Sequence, residues 1–242
     1  MKIITDLHSH ILPDVDDGSP DFQTTITMLK EASKQGTSHL FATSHHFAFI
    51  DKSSSEKALE LFQEVKMAIK KEEIPINLYL GCELLCTESW MDRLINGLAM
   101  GQYPSLNGTH YVLTEYPYIH IDLEGVLQCT ERFLKEGWTP VFAHIERYYD
   151  TFASLPFIKH MKEKGCLFQV NFFSLVDEPN ENIRNFAREV IAQELADFMG
   201  SDMHNMRHRP PQIEHGLSYL KENCSADYLS KLLEENMKKY FI

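Results

Sequence analysis

The chain has 242 residues, of which 43% are hydrophobic and 24% charged, a composition typical of one globular domain spanning residues 1–242. Its formal charge of −12 argues against non-specific nucleic-acid binding, because proteins with that function present a basic face. The five cysteines form no CxxC pair and no apolar run approaches the roughly 20 residues of a membrane span, so we expect a reduced, cytoplasmic protein.

Seven short apolar runs along the chain predict β-strands. They lie at residues 3–8, 39–44, 76–80, 111–114, 141–144, 167–170 and 197–200. The segments between them repeat apolar residues with the period of an α-helix, about 3.6 residues. Because parallel strands need crossover helices, this alternation predicts an α/β fold with a parallel sheet. Seven units fit a distorted (β/α)7 TIM-like barrel better than an open, doubly wound sheet.

Apolar stripes mark the predicted helices in chain order. They comprise Phe22, Ile26, Leu29 and Ser33; Leu59, Phe62, Val65 and Ile69; Leu123, Val126, Thr130, Phe133 and Leu134, ending at Gly137; and Ile183, Phe186, Val190 and Leu195. We expect Ser19 and Pro20 to supply the N-cap and first residue of the first helix, and Gly36 to end it. A final helix is predicted over residues 229–240, packed either on the barrel or on a neighbouring chain.

The stretch DLHSHILPDVDDG concentrates acids and imidazoles near the start of the chain. Asp6, His8 and His10 occupy alternate positions, which point to one face of an extended segment. Asp16 and Asp17 follow in the next loop. A solvent-facing surface usually carries Lys, Glu and Thr instead of paired imidazoles, so this pattern indicates metal binding.

Most of the other predicted strands also end in His, Asp or Glu. These residues are His45 and His46 after the second strand, then Glu83, Glu115 and His144 after the next three, and Asp202 and His204 after the seventh. The sixth strand, which ends at Asn171, offers no obvious ligand. Barrel active sites lie at the carboxyl ends of the strands, so these residues predict a metal site at one rim. Imidazoles and carboxylates without thiolates suit Zn, Mn or Fe.

The candidate ligands are too numerous for one ion. They are His8, His10, Asp17, His45, Glu83, Glu115, His144, Asp202 and His204. Because one metal rarely takes more than about six ligands, we expect two or three ions. Four carboxylates and three divalent ions leave about two positive charges, so the site would attract anions despite the acidic chain.

The stretches DLHSHILPDVDDG, TSHH, GCEL, AHIERY and GSDMHNMRHRPP resemble those of the PHP (polymerase and histidinol phosphatase) superfamily, in order and spacing. More narrowly, they resemble its tyrosine-protein phosphatases of Gram-positive capsule and exopolysaccharide loci, over essentially the whole chain. The resemblance implies a single catalytic domain with the distorted (β/α)7 fold and three divalent ions, usually manganese, with iron or zinc as alternatives. It also implies phosphotyrosine hydrolysis, usually on the Tyr-rich tail of a partner tyrosine kinase that governs polysaccharide export.

The resemblance further implies how the ligands are shared. It assigns His8, His10, Glu83 and Asp202 to one metal, Glu83 with Glu115 and His144 to a second, and Asp17, His45 and His204 to a third. Asp6 and Asp16 lie in the same motif, but we expect them to support ligands and not to bind metal themselves.

Two arginines match the phosphate-binding arginines of these phosphatases. They are Arg147 and Arg209, although Arg207 lies close enough to compete with Arg209 for the assignment. We expect Arg147, Arg209 and Asp17 to be catalytic and His46 to bind substrate along with both arginines. His46 and Asp17 are alternative proton donors. No cysteine lies in a CxxxxxR arrangement, so attack by water without a phosphoenzyme is expected.

Three other interpretations share parts of this pattern. A PHP phosphatase for a small molecule such as histidinol phosphate would use the same metal rim. An amidohydrolase-type enzyme also uses strand-end HxH pairs, but no predicted strand ends in the Lys that such enzymes often carboxylate. A non-catalytic kinase-binding protein would not need a complete ligand set.

Tyr116, Tyr118 and His120 either border an aromatic-substrate pocket or pack in the core or at the rim, and packing is favoured.

Overall fold

The computed structural model describes residues 3–118 and 122–242, and within them eight parallel strands form two sheets. The strands are β1 (Thr5–Asp6), β2 (His39–Ala42), β3 (Asn77–Leu80), β4 (Glu83–Leu85), β5 (Tyr111–Glu115), β6 (Thr139–Phe142), β7 (Leu167–Asn171) and β8 (Phe198–Gly200). One sheet has the order β1-β2-β3 and the other β4-β5-β6-β7-β8. The predicted α/β fold with parallel strands is confirmed.

Helices lie between most of the strands and after the last one. They are α1 (Phe22–Lys34), α2 (Lys52–Lys71), α3 (Met91–Ala99), α4 (Leu123–Lys135), α5 (Leu155–Glu163), α6 (Glu181–Ala192), α7 (Glu214–Asn223), α8 (Ala226–Ser230) and α9 (Asn236–Phe241). Short 3-10 turns follow several strands, among them His46–Phe49 after β2 and Ile145–Tyr148 after β6. Most residues of the predicted stripes pack in the core, but Phe22, Leu59 and Leu123 are more than one third exposed.

Backbone hydrogen bonds also link the edges of the two sheets. The third predicted strand corresponds to β3, and β4 is a further strand that the sequence did not predict. At its start the Glu83 N–H donates to Ser44 O, just after β2, at 3.1 Å. At the other edges, the Leu7 N–H donates to Met199 O in β8 at 3.0 Å. These bonds connect β2 with β4 and β1 with β8 in addition to the pairs within each sheet.

The start of α1 differs from the sequence prediction. Asp21 is its N-cap, and the carboxylate accepts a hydrogen bond from the Thr24 N–H at 2.7 Å. Ser19 is instead buried below the helix, with its hydroxyl donating to Asp21 O, so the predicted cap at Ser19 and Pro20 is wrong by two residues. Gly36 follows the end of the helix with φ +106°, a backbone conformation that favours glycine.

The C-terminal helices pack on the strands of the same chain. The ring of Phe241 is 2% exposed and lies 5.3 Å from the ring of Phe41 and 5.1 Å from that of Phe198. The Thr5 hydroxyl in β1 donates to Leu233 O at 2.8 Å. Burial of such an aromatic side chain contributes roughly 2 kcal/mol to stability. Among the two alternatives left by the sequence, the structure therefore shows packing on the chain's own sheets.

No helix within residues 3–118 and 122–242 combines the length and the apolar character that a membrane crossing requires.

Candidate metal centre

The nine residues predicted as metal ligands lie together, and most of them are at or just beyond the carboxyl end of a strand. Their ligand atoms form four overlapping groups, in each of which the atoms lie within 4.8 Å of one another: His10, Asp17, His45 and His204; His8, Glu83 and His144; His8, His10 and Asp202; and His45, Glu83 and Glu115. Six of the nine side chains are buried, so the cluster differs from an ordinary group of polar residues on the surface. The grouping differs from the one implied by the resemblance, because His144 lies with His8 instead of with Glu115.

Glu83 lies at the middle of the cluster. Its Oε2 is 3.2 Å from His8 Nε2, from His10 Nε2 and from His45 Nδ1, and its Oε1 is 3.1 Å from His144 Nε2. Burial alone would raise the pKa of the Glu83 carboxyl, but the neighbouring histidines, His8 first, hold that pKa well below its usual range. Glu83 is therefore ionised, as a metal ligand must be.

Two of the histidines are oriented by hydrogen bonds on the side facing away from the cluster. His10 Nδ1 lies 2.9 Å from Asp16 Oδ2, and His204 Nδ1 lies 2.9 Å from the backbone oxygen of Asp202. A ring that donates through Nδ1 presents the Nε2 lone pair to a metal. Burial alone would lower the pKa of His10, but the Asp16 carboxylate raises this pKa to about 9. The electrostatic field at this position therefore favours positive charge.

Other nitrogen atoms of the cluster lack a hydrogen-bond partner, and a divalent cation would supply one. Within the described part of the chain, His144 Nδ1 is buried without a hydrogen-bond partner. His45 Nδ1 lies 2.9 Å from Glu115 Oε1 without forming an aligned hydrogen bond. Imidazole and carboxylate groups that converge without satisfying one another suit divalent transition-metal ions. The residues present therefore fit a metal centre.

Two residues of the site adopt left-handed backbone conformations. His144 has φ +34° and Asp202 has φ +54°, and each lies two residues beyond the end of a strand. Such conformations are uncommon outside glycine and cluster at functional sites. The turn at His144 leads into the 3-10 segment that carries Arg147.

The two predicted phosphate-binding arginines meet at one carboxylate. Arg147 Nη2 lies 2.6 Å from Asp202 Oδ2, and Arg209 Nη2 contacts the same oxygen. Arg209 Nη1 also lies 2.7 Å from His204 Nε2. Arg207, in contrast, is exposed, and its backbone N–H donates to Asn205 Oδ1. The geometry thus favours Arg209 over Arg207. Burial alone would raise the pKa of Asp202, but Arg147, followed by other nearby cations, holds that pKa well below its usual range.

Three of the four aspartates of the first motif lie in or beside the cluster, in different positions. Asp16 Oδ2 accepts from His10 and from the His45 N–H at 3.0 Å, which suits the supporting role expected for it. Asp6 is fully buried behind the cluster, and its Oδ1 accepts from the Ser201 N–H at 2.8 Å. Asp17 lies at the mouth of the cluster, 62% exposed.

The two residues predicted as alternative proton donors, Asp17 and His46, lie in different surroundings. Asp17 Oδ1 lies 3.6 Å from His204 Nε2 and 3.4 Å from His45 Nε2, and these two rings hold the pKa of Asp17 well below its usual range. His46 is 4% exposed, its ring meets Trp90 edge-on, and burial lowers its pKa to about 4. The Leu85 N–H approaches His46 Nδ1 at 3.4 Å. The His46 side chain is thus packed among aromatic rings, and its binding of substrate stays a prediction.

The aromatic residues after Glu115 divide between core and surface. Tyr116 is buried, and its ring packs against Phe142. Tyr118 is 49% exposed, and its hydroxyl lies 3.4 Å from Arg147 Nη1. His120 lies outside the described residues.

Sequence reasoning missed three buried polar residues beside the cluster. Gln169 and Asn171 come from β7, and Glu146 follows the ligand His144. Glu146 Oε1 accepts from the Asn171 N–H at 3.1 Å, and burial raises the pKa of the Glu146 carboxyl to about 7. The alternation of Gln169 and Asn171 in a strand was the available signal, because both side chains point to one face.

The chain is similar in sequence to known tyrosine-protein phosphatases. Tyrosine-protein phosphatase YwqE of Bacillus subtilis is 30% identical over 231 residues, which cover 96% of this chain and 89% of YwqE. Tyrosine-protein phosphatase CpsB of Streptococcus agalactiae serotype III is 28% identical over 252 residues, covering 98% of this chain and 99% of CpsB.

Solved structures show the same fold. One from the pair YwqE of Bacillus subtilis and CpsB of Streptococcus pneumoniae, described as unique metal-dependent tyrosine phosphatases, superposes with a TM-score of 0.82 at 28% identity and covers 98% of this chain and 94% of that chain. A phosphotriesterase homology protein of Escherichia coli superposes with a TM-score of 0.61 at 10% identity, over 100% of this chain and 99% of that one, and shares the fold alone. The sequence profile described as capsular polysaccharide synthesis, CpsB/CapC, matches residues 4–241, so the chain belongs to the CpsB/CapC family.

Proposed function

We propose that the chain is a metal-dependent protein-tyrosine phosphatase that acts on phosphotyrosine in a partner protein of capsular or exopolysaccharide synthesis. The observation that carries the proposal is the cluster of nine ligand residues beside two arginines that meet at Asp202. The names of the relatives support the same reaction. The proposed partner is a bacterial tyrosine kinase, and the proposed location is the cytoplasm.

We also propose that the two sheets form one distorted (β/α)7 barrel. The bonds from Glu83 to Ser44 and from Leu7 to Met199 support this closure, because they join strands at the edges of both sheets. A cluster of buried apolar residues drawn from β2, β5, β6, β7 and β8 would fill its interior. The carboxyl ends of the strands would then form the rim on which the ligands lie.

The proposed cofactor is a set of three divalent ions, with manganese favoured over iron or zinc. The nine ligands would hold these ions, since their donor atoms already lie within 4.8 Å of one another in each group. When bound, divalent ions lower the pKa of coordinated water toward neutrality and neutralise phosphate charge.

Arg147 and Arg209 would bind the phosphate oxygens of the substrate. Guanidinium groups form paired, charge-assisted hydrogen bonds with phosphate and stabilise the charge of the transition state. The thiols are not suited to nucleophilic attack, because burial raises the pKa of Cys82 and Cys86 well above its usual value. Direct transfer of the phosphoryl group to water is therefore the proposed reaction.

An aromatic substrate is favoured by two exposed rings at the mouth of the cluster. Tyr118 stacks on Tyr148 with a centroid distance of 5.3 Å, and its hydroxyl lies near Arg147. Phe47 is 43% exposed and stacks on His45 at 5.0 Å. Such rings would contact the phenyl group of phosphotyrosine on either side of the phosphate site.

Removal of metal is expected to abolish the release of phosphate from a phosphotyrosine peptide, and manganese is expected to restore it. The measurement compares protein stripped with chelator and resupplied with manganese, iron or zinc, and His8→Ala is the control that stays inactive. Histidinol phosphate is assayed in parallel. A higher kcat/KM for histidinol phosphate would favour the small-molecule alternative, and no turnover of either substrate would contradict an enzymatic function.

Tyr118→Ala is expected to raise KM for the phosphotyrosine peptide by roughly 3- to 10-fold with little change in kcat, because an aromatic contact contributes about 0.5–1.5 kcal/mol. Inhibition by inorganic phosphate should not change, because phosphate has no ring. Tyr219→Ala is the matched control, since this tyrosine stacks with Arg188 on another part of the surface. An unchanged KM in Tyr118→Ala would contradict a role in recognising the ring.

A further inference from the structure

Two buried amides of β7 connect ligands that come from three different strands. Gln169 Oε1 lies 3.2 Å from His8 Nδ1 and accepts a hydrogen bond from the His144 N–H at 2.8 Å. Gln169 Nε2 donates to Asn171 Oδ1 at 2.8 Å, and Asn171 Nδ2 donates to Asp202 Oδ2 at 3.3 Å. A single chain of hydrogen bonds thus joins His8, His144 and Asp202.

The direction of this chain of hydrogen bonds is fixed at both ends. The backbone N–H of His144 can only donate, so Gln169 must turn Oε1 toward it. The ionised carboxylate of Asp202 can only accept, so Asn171 must present Nδ2. Both requirements leave the Gln169 oxygen facing His8. His8 Nδ1 must therefore carry a proton, and Nε2 is the nitrogen that faces Glu83 at 3.2 Å.

The surroundings hold the Gln169 amide in place. Gln169 and Asn171 are fully buried, so water does not compete for their hydrogen bonds. A Cβ at Gly200 would lie 2.7 Å from Gln169 Nε2 and 2.8 Å from His8 Cβ. Glycine at this position of β8 thus provides the space in which the amide lies against the histidine.

A neutral acceptor suits His8 better than a carboxylate would. His10 is oriented by the charged Asp16, and the cluster already contains the carboxylates of Glu83 and Asp202. An amide orients the ring without adding a further negative charge to a buried site, where unpaired charge is costly.

We propose that Gln169 is a positioning residue of the metal centre. It keeps His8 protonated at Nδ1, turns Nε2 toward the cluster, and ties this ring to the backbone of His144. Two ligands from β1 and β6 thereby hold a common geometry before an ion binds. The inference rests on the proposed metal site and is independent of the substrate.

The first test reads the protonation of His8 Nδ1 by two-bond 1H–15N spectroscopy of metal-free protein. Spectra are recorded at about pH 8.5, above the ordinary pKa of histidine, and His8→Gln identifies the His8 signals. Nδ1 is expected to be protonated in the wild type and in Gln169→Glu, which keeps an oxygen acceptor. In Gln169→Met, which has a similar length but no acceptor, the proton is expected to move to Nε2. An unprotonated Nδ1 in the wild type overturns the proposal without any variant.

The second test titrates manganese into metal-free protein by calorimetry. Gln169→Met is expected to bind manganese about 10- to 100-fold more weakly, the usual effect of losing the partner of a metal-ligating histidine. Asn236→Leu is the control, because its amide bonds Asp197 O at the start of β8, away from the cluster. Unchanged affinity in Gln169→Met, or an equal loss in the control, overturns the proposal. If the wild type binds no manganese, the proposed metal site fails, while the His8 spectra still decide the role of Gln169.

Discussion

Arg147→Ala is expected to lower kcat/KM for a phosphotyrosine peptide by about 100- to 1000-fold, the usual effect of removing one donor that stabilises transition-state charge. The Arg147 guanidinium lies 2.6 Å from Asp202 Oδ2 and 3.4 Å from the Tyr118 hydroxyl. It therefore lies between the ligand cluster and the exposed ring, where the phosphate of phosphotyrosine would bind.

The same variant is expected to keep its manganese. Arg147 contributes positive charge beside Asp202, so its removal lowers the repulsion that a bound cation would meet. Asp202 keeps Arg209 and Asn171 as partners in the variant and is not left buried without hydrogen bonds. Loss of turnover with retained metal would separate phosphate binding from metal binding.

Two further variants sharpen this experiment. Arg147→Lys keeps the charge but loses the planar fork of the guanidinium, so it should recover only part of the activity. Arg132→Ala removes an exposed arginine that pairs with Asp92 at 2.8 Å and should leave activity unchanged. Phosphate release and metal content are measured on all three proteins. Wild-type activity in Arg147→Ala would rule out the assigned role.

The convergence of the candidate ligand residues was predictable from the sequence because most of these residues are marked by a local pattern. His8 and His10 alternate at the end of one strand, and Glu83, Glu115 and His144 each follow an apolar run. Parallel strands bring such residues to one rim without any long-range information in the sequence.

The supporting residues were not predictable in this way. Gln169 alternates with apolar neighbours, as the polar face of any strand does, and its partner His8 is 161 positions away. His45 and His46 are adjacent in the sequence, yet the 3-10 turn that begins at His46 puts this second ring among Trp90 and other aromatic side chains. Only the three-dimensional path of the chain distinguishes these two histidines.

Three helices for which no individual apolar stripe was identified are short. Helices α3 and α5 have nine residues each and α7 has ten, so their apolar stripes extend over fewer than three turns. The cap of α1 was misplaced because Ser19 and Asp21 are both good N-cap residues. Ser19 donates its hydroxyl to Asp21 O in the core, which leaves Asp21 as the cap.

Glu83→Gln is expected to remove at least one metal ion and to lower turnover of the phosphotyrosine peptide by about 1000-fold or more, since a metal ion supplies several kcal/mol of transition-state stabilisation. Glutamine has nearly the same shape, so the change removes charge and little packing. The Glu83 carboxylate faces His8, His10 and His45 through Oε2 and His144 through Oε1.

The physical reason is the central position of this one carboxylate. An amide has no net charge, and its NH2 group would point donors at nitrogens whose lone pairs are needed for metal.

Asp197→Asn is the matched control, because Asp197 is also a buried carboxylate but pairs with Lys162 at 2.7 Å, just before β8. This control should lose thermal stability while keeping its manganese. Metal content by atomic absorption and phosphate release are measured on both variants. If Glu83→Gln retained the full complement of manganese and its turnover, Glu83 would be a buried structural acid and the arrangement of ions around it would have to be abandoned.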